Sequence, residues 1–229
     1  MAREGRRPAP RRRPRPFRLL AISRLAASVP GTTSAESATP RAVPEAADWF
    51  AALAAAGVDA LQVREKQLDD RALYELVVRA RAALPRPARL LVNGRADVAL
   101  AAGADGVHLP ADGVPAGALR TRFGASLLVG VSTHRLDEVA EARRAGADYV
   151  VFGPVYPTPA KDAAATPVGA PGLARAAALD IPVYALGGVT LERFPEVASA
   201  GAAGVAGIRL FQRVGDLERV VAAARACFS

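Results

Sequence analysis

The side chains able to do chemistry fall in short clusters, each directly after an apolar run. Gln62, Arg64 and Lys66 alternate along Gln-Val-Arg-Glu-Lys, which puts an amide and two cations on one side and Val63 and Glu65 on the other. Such a set is an anion site, because Arg grips phosphate oxygens in pairs and Lys adds a point charge. Asn93-Gly94, His108-Leu109-Pro110-Ala111-Asp112-Gly113 and Ser132-Thr133-His134 close three further runs. Thr158 and Lys161 follow Gly153-Pro154 on a loop stiffened by Pro157 and Pro159, so a hydroxyl and an ammonium are presented with restricted freedom. Gly187-Gly188 leads into an expected helix, and Gly207-Ile208-Arg209 ends the last run. Bare glycine N–H groups at a helix start form a phosphate cup, to which Arg209 would add a formal charge.

The elements that must position these groups are eight apolar runs: Leu19–Ser23, Ala60–Val63, Leu90–Val92, Gly106–Leu109, Leu127–Val131, Tyr149–Phe152, Val183–Leu186 and Val205–Ile208. Tyr149–Phe152 shows no polar alternation, as expected of a strand buried on both faces of a parallel sheet. Helices are expected between the runs, including Pro44–Ala56, Asp69–Leu84, Leu136–Ala145, Leu191–Ala200 and Asp216–Cys227, with Asp69, Thr190 and Asp216 as N-caps. One phrase recurs at the junctions: Ala-Ala-Gly-Val-Asp-Ala (55–60), Ala-Ala-Gly-Ala-Asp-Gly (101–106), Arg-Ala-Gly-Ala-Asp-Tyr (144–149) and Ser-Ala-Gly-Ala-Ala-Gly (199–204). Gly57, Gly103, Gly146 and Gly201 then read as positive-φ helix ends, and the repeat as consecutive βα units. Eight such units predict an α/β fold, a (β/α)8 TIM barrel somewhat shorter than the usual ~250 residues, with its chemistry at the C-terminal strand ends. An open doubly wound sheet is the alternative, weakened because no Gly-rich dinucleotide fingerprint follows the first strand.

Charge divides the chain. The first eighteen residues hold eight arginines against Glu4, which leaves 22 basic and 21 acidic groups in the remainder of a chain whose formal charge is +8. Residues 1–16 therefore read as a disordered Arg/Pro-rich tail and 17–229 as the barrel domain. A solvated extension is the expected role for the tail, not a nucleic-acid contact. Residues 26–41, rich in Ala, Ser, Thr, Gly and Pro, are expected as a loop after the first strand. No run reaches the ~18 apolar residues of a membrane span. The lone Cys227 excludes an intrachain disulfide and fits a cytoplasmic location. Homo-oligomerisation is left open.

Together the motifs resemble the thiamine phosphate synthase/TenI family over roughly residues 17–215: Gln-x-Arg-Glu-Lys, the Asn after the third strand, Gly-Ala-Asp-Gly-Val-His-Leu, Gly-Val-Ser-Thr-His, Gly-Ala-Asp-Tyr-Val-x-Phe-Gly-Pro-Val-x-Pro-Thr-x-x-Lys and Ala-Leu-Gly-Gly-Val-Thr. The resemblance implies a barrel that handles the thiazole phosphate precursor of thiamin. It also implies that Gly187, Gly188, Ile208 and Arg209 hold that phosphate. Thr158 and Lys161 would meet the thiazole substituent and any diphosphate. Gln62, Arg64, Lys66 and Asn93 would face a pyrimidine diphosphate, and Ser132 would be a further substrate contact.

The departures bear on the activity. Synthases of this family carry Asn-Asp after the third strand and an Asp in the fourth-strand motif, and these two carboxylates hold Mg²⁺ on the diphosphate. Here the positions are Gly94 and Gly113, with Asp112 one place away, Ala160 removes a hydroxyl and Arg209 replaces a small residue. A TenI-like thiazole tautomerase is therefore the expected activity, without a metal cofactor, and His134 is its candidate proton carrier. His108 reads as structural. A synthase with a rearranged Mg²⁺ site using Asp112 is the alternative, and a non-catalytic phosphate-ligand-binding regulator the second.

Overall fold

The structure, a computed structural model, describes residues 17–25, 42–158 and 166–228. The expected tail, the loop after the first strand, Ala160 and Lys161 lie outside them.

Eight parallel strands close in sequence order into a barrel: β1 (Leu19–Ile22), β2 (Ala60–Val63), β3 (Arg89–Asn93), β4 (Gly106–Leu109), β5 (Leu128–Thr133), β6 (Tyr149–Phe152), β7 (Val183–Ala185) and β8 (Gly204–Gly207). The last pairs with the first through Leu19–Val205, Leu20–Ala206 and Ala21–Gly207. The helices are α1 (Ala42–Ala56), α2 (Asp70–Ala83), α3 (Ala96–Ala101), α4 (Ala116–Phe123), α5 (Leu136–Arg144), α6 (Gly169–Ala177), α7 (Phe194–Ser199) and α8 (Leu217–Cys227). The architecture is the expected (β/α)8 barrel, with strand ends within two residues of those read from sequence.

Alternation along each strand builds two cores. Leu20, Ile22, Ala60, Leu91, Tyr149, Val151, Tyr184 and Ala206 fill the barrel. Leu19, Ala21, Leu61, Val63, Val150, Phe152, Val183 and Val205 face outward onto the helices. Each large side chain so buried contributes roughly 1.5–3 kcal/mol. At the N-terminal end Phe17 stacks on Tyr184 at 4.3 Å, meets Tyr149 edge-on at 5.2 Å and donates its N–H to the Tyr184 hydroxyl. That aromatic plug fills the floor among the described residues, and the strand ends at the other face form the mouth described below.

The recurring phrase has a second purpose beyond its glycine. Gly57, Gly103, Gly146 and Gly201 all have φ between 68° and 82°, as expected. The Asp two residues later reaches back to the start of the preceding strand. Asp59 accepts the N–H groups of Arg18 and Leu19, Asp105 that of Leu90, and Asp148 that of Val129. Those donors begin strands and would otherwise lack partners. Asp105 also gathers Arg81, Arg86 and Arg89. The fourth copy has Ala203 in this place and no such cap.

Two local expectations are corrected. Asp69 caps α2 by accepting the N–H of Ala72 at 2.8 Å, but neither Thr190 nor Asp216 makes a capping bond to backbone. Asp216 instead accepts from Arg219. The expected helix Leu191–Ala200 is a 3-10 turn, Leu191–Arg193, followed by the six-residue α7. Pro195 explains the break, since it lacks an N–H and is at home only in a helix's first turn.

Candidate active site

The residues expected on the pyrimidine side come from neighbouring strand ends. Gln62, on β2, is buried and donates from Nε2 to Asn93 Oδ1 at 2.9 Å, while its own Oε1 is buried without a hydrogen-bond partner among the described residues. Arg64 is half-buried and close enough to bear electrostatically on His108. Lys66 is exposed. Glu65 turns the other way, as alternation predicts, and is buried against β1. It accepts from the Ser23 hydroxyl, the Leu25 N–H and Gln67 Nε2, while Ser23 Oγ accepts the Arg64 N–H. This clamp fixes the backbone of Arg64. Sequence reading passed over it because it needs β1 and β2 in register.

The two histidines differ sharply. His134, past the end of β5, is exposed and carries its Nδ1 at 2.5 Å from the Gly153 carbonyl. Its backbone N–H donates to Glu138. His108 is buried between the Tyr149 hydroxyl (Nδ1, 3.0 Å) and Ser132 Oγ (Nε2, 2.9 Å), in keeping with a structural histidine. Burial, then the Arg64 charge, push its pKa from 6.5 down to about 3. The unfolded chain thus binds this proton first as pH falls. Stability from this site is full above about pH 6.5 and is lost progressively towards pH 3. At 1.36 kcal/mol per unit, the loss between pH 7 and 5 is about 2 kcal/mol. Urea unfolding of the parent and of His108→Gln at both pH values should show this component in the parent alone. Equal losses in the two proteins would mean that His108 titrates normally.

At the opposite side of the mouth, β6 and β7 continue to pair past their ends: Val155 N–H donates to Leu186 O and Tyr156 N–H to Gly187 O. Gly187 (φ 93°) and Gly188 (φ 64°) lie so close to this loop that a Cβ at 187 would stand 2.8 Å from Pro154, and one at 188 would stand 2.5 Å from the Pro157 carbonyl oxygen. Their own N–H groups have no hydrogen-bond partner among the described residues, and both glycines are half-buried. The cup is therefore made by glycine amides at a strand end, not by the start of a long helix. Ile208 is half-buried and Arg209, in the 3-10 turn after β8, is exposed. Arg209 Nη2 donates to Thr158 Oγ1 at 2.8 Å, which ties the β6 loop to the end of β8. Beneath the cup, the Arg193 guanidinium lies 3.9 Å from the centre of the Tyr156 ring, a support that sequence reading also missed.

Magnesium, which the family pattern implies for the synthase reaction, does not fit the described residues. Gly94 has no side chain, and the nearby Asp97 and Asp70 both pair with Arg95. That pairing holds Asp97 down at a pKa of about 2. A Cβ on Gly113 would come within 2.9 Å of the Pro110 ring, so this loop is built around proline where a ligand carboxylate is expected. Among the described residues, no three or more His, Cys, Asp or Glu side chains come together so that they could hold a metal ion. Asp112 is exposed and alone in its loop.

Comparison with known proteins bears on the family and the fold. Residues 37–211 match the family model described as thiamine monophosphate synthase. A Geobacter sulfurreducens protein named provisionally as a thiamine-phosphate synthase is 51% identical over 154 residues, covering 66% of this chain and 72% of the relative. A thiamine-phosphate synthase of Salinispora arenicola is 43% identical over 166 residues, covering 71% and 80%. Among solved structures, thiamine phosphate pyrophosphorylase from Pyrococcus furiosus superposes with a TM-score of 0.76 at 26% identity, covering 93% of this chain and 98% of that one. No helix among the described residues is long and apolar enough to cross a membrane. With its barrel, its strand-end motifs and its relatives in agreement, the chain belongs to the thiamine monophosphate synthase family.

Proposed function

We propose that this enzyme of thiamin biosynthesis is a synthase, joining hydroxymethylpyrimidine diphosphate to thiazole phosphate and releasing diphosphate. The observation that carries this reading is the buried Gln62 Oε1 beside Asn93, which has no hydrogen-bond partner among the described residues. Such an oxygen costs stability unless a ligand donor meets it. An aminopyrimidine edge offers an exocyclic N–H donor next to a ring nitrogen acceptor, whereas the thiazole ring offers no donor. The names of the relatives favour the same reading over the tautomerase expected from Gly94 and Gly113.

In the reaction the thiazole nitrogen forms a bond to the pyrimidine's methylene carbon as the C–O bond to diphosphate breaks, and the electron pair leaves with diphosphate. Arg64, Lys66 and Lys161 are the cations assigned to that departing charge. Gly187, Gly188, Ile208 and Arg209 take the thiazole phosphate, with Thr158 between the two anions. The tautomerase remains the second reading. Proton transfer needs no carboxylate-held metal, and His134 beside Gly153 would carry the proton.

Titration calorimetry with pyrimidine diphosphate, with Mg²⁺ and with chelator, tests the proposal. Binding is expected in both and should survive Asp112→Asn. Absence of binding in both would leave the tautomerase. Mg²⁺-dependent binding lost in Asp112→Asn would assign a one-carboxylate metal site.

A further inference from the structure

Three groups form a line from inside the barrel to its mouth: the Tyr149 hydroxyl on β6, His108 on β4 and the Ser132 hydroxyl on β5. They reach one another because Gly130, paired with both His108 and Tyr149 in the strand register, leaves its place empty. A Cβ at 130 would stand 2.0 Å from Tyr149 Cζ and 2.3 Å from its hydroxyl oxygen. The missing side chain lets the phenol pass beneath β5 to reach β4.

The line has a direction. A buried phenol must donate its proton to some acceptor, and the Tyr149 hydroxyl has His108 Nδ1 as its one hydrogen-bond partner among the described residues. A neutral imidazole carries a single N–H. With Nδ1 accepting, that proton is on Nε2, which donates to Ser132 Oγ. Ser132 Oγ has no other protein partner among the described residues, so its own proton points into the half-exposed mouth. We infer that Tyr149 and His108 are positioning residues that hold the Ser132 hydroxyl as a hydrogen-bond donor to an anionic ligand oxygen in the barrel mouth. Burial, with the Asp148 charge, keeps the phenol protonated. Burial and the Arg64 charge keep His108 neutral. An imidazolium would donate from both nitrogens and reverse the phenol. That the oxygen belongs to a phosphate or diphosphate rests on the proposed function.

Nitrogen-15 NMR of the full chain decides the tautomer, with His134→Asn used only to assign the two imidazoles. His108 is expected as the Nε2–H form between pH 8 and 5, and an Nδ1–H form would overturn the inference. Affinity for inorganic diphosphate gives the second readout. Tyr149→Phe and Ser132→Ala should each weaken it by about tenfold, the value of one charge-assisted hydrogen bond. In the Ser132→Ala background, Tyr149→Phe should cost nothing more. An equal loss in both backgrounds would make Tyr149 merely structural and contradict the inference. Turnover by the parent with pyrimidine diphosphate tests the functional reading separately, so a wrong substrate would leave the tautomer result standing.

Discussion

Gly188→Val is expected to remove thiazole phosphate binding, with a loss of at least about a hundredfold, or roughly 3 kcal/mol. Two effects combine. A β-branched residue is strained at φ 64°, and its Cβ would stand 2.5 Å from the Pro157 carbonyl oxygen and 2.8 Å from the Tyr156 carbonyl carbon. Backbone cannot yield there as a flexible side chain can. Either the loop carrying Thr158 moves outward or the two amides of the cup turn away. Phosphorylated and dephosphorylated thiazole should both be weakened, while pyrimidine diphosphate binding, which the proposal assigns to Gln62 and Asn93 across the mouth, should persist and show that the barrel is folded. Parent-like thiazole phosphate affinity would mean that the phosphate binds elsewhere.

Gln62→Leu should act on the other substrate. It removes the acceptor proposed to meet the pyrimidine and leaves Asn93 Oδ1 without its donor. Sites built around a polar pair lose steeply when one member goes, because the remaining group, here the half-buried Asn93 amide, no longer has its partner when the ligand binds. Pyrimidine diphosphate affinity should fall by roughly thirtyfold to a hundredfold, with thiazole phosphate unaffected and thermal stability nearly unchanged. Calorimetry on each ligand reads both. An unchanged pyrimidine affinity would reduce Gln62 to a structural amide.

Much of the fold was legible because its signals are local. Four glycines after Ala-rich stretches predicted four left-handed helix ends, and all four are present. Buried runs such as Tyr149–Phe152 predicted strands with the observed ends. The unread features are set by partners distant in sequence. Nothing near Asp105 announces Leu90 N–H or the three arginines around it. Nothing beside Gly130 announces that its emptiness admits a phenol from β6. The Leu191–Ala200 pattern looked continuous because periodicity does not register Pro195 as a start.

The site was read to a similar depth. Strand-end residues could be listed from sequence, and the structure brings Gln62 to Asn93, His108 to Ser132, and Arg209 to Thr158. The polarity of those contacts and the Arg95 pairing of Asp70 and Asp97 required coordinates. The departures at Gly94 and Gly113 are legible in the sequence and point towards the tautomerase, whereas the Gln62 acceptor without a partner among the described residues emerges only from the fold.

The most direct test of the synthase account is turnover by the purified chain in two parallel incubations. One contains hydroxymethylpyrimidine diphosphate and thiazole phosphate, and the other the thiazole carboxylate phosphate tautomer alone, with products resolved by chromatography. The account predicts thiamine phosphate and an equal amount of diphosphate in the first, and tautomer conversion no faster than without enzyme in the second. Rapid aromatisation of the tautomer with no thiamine phosphate formed would contradict it.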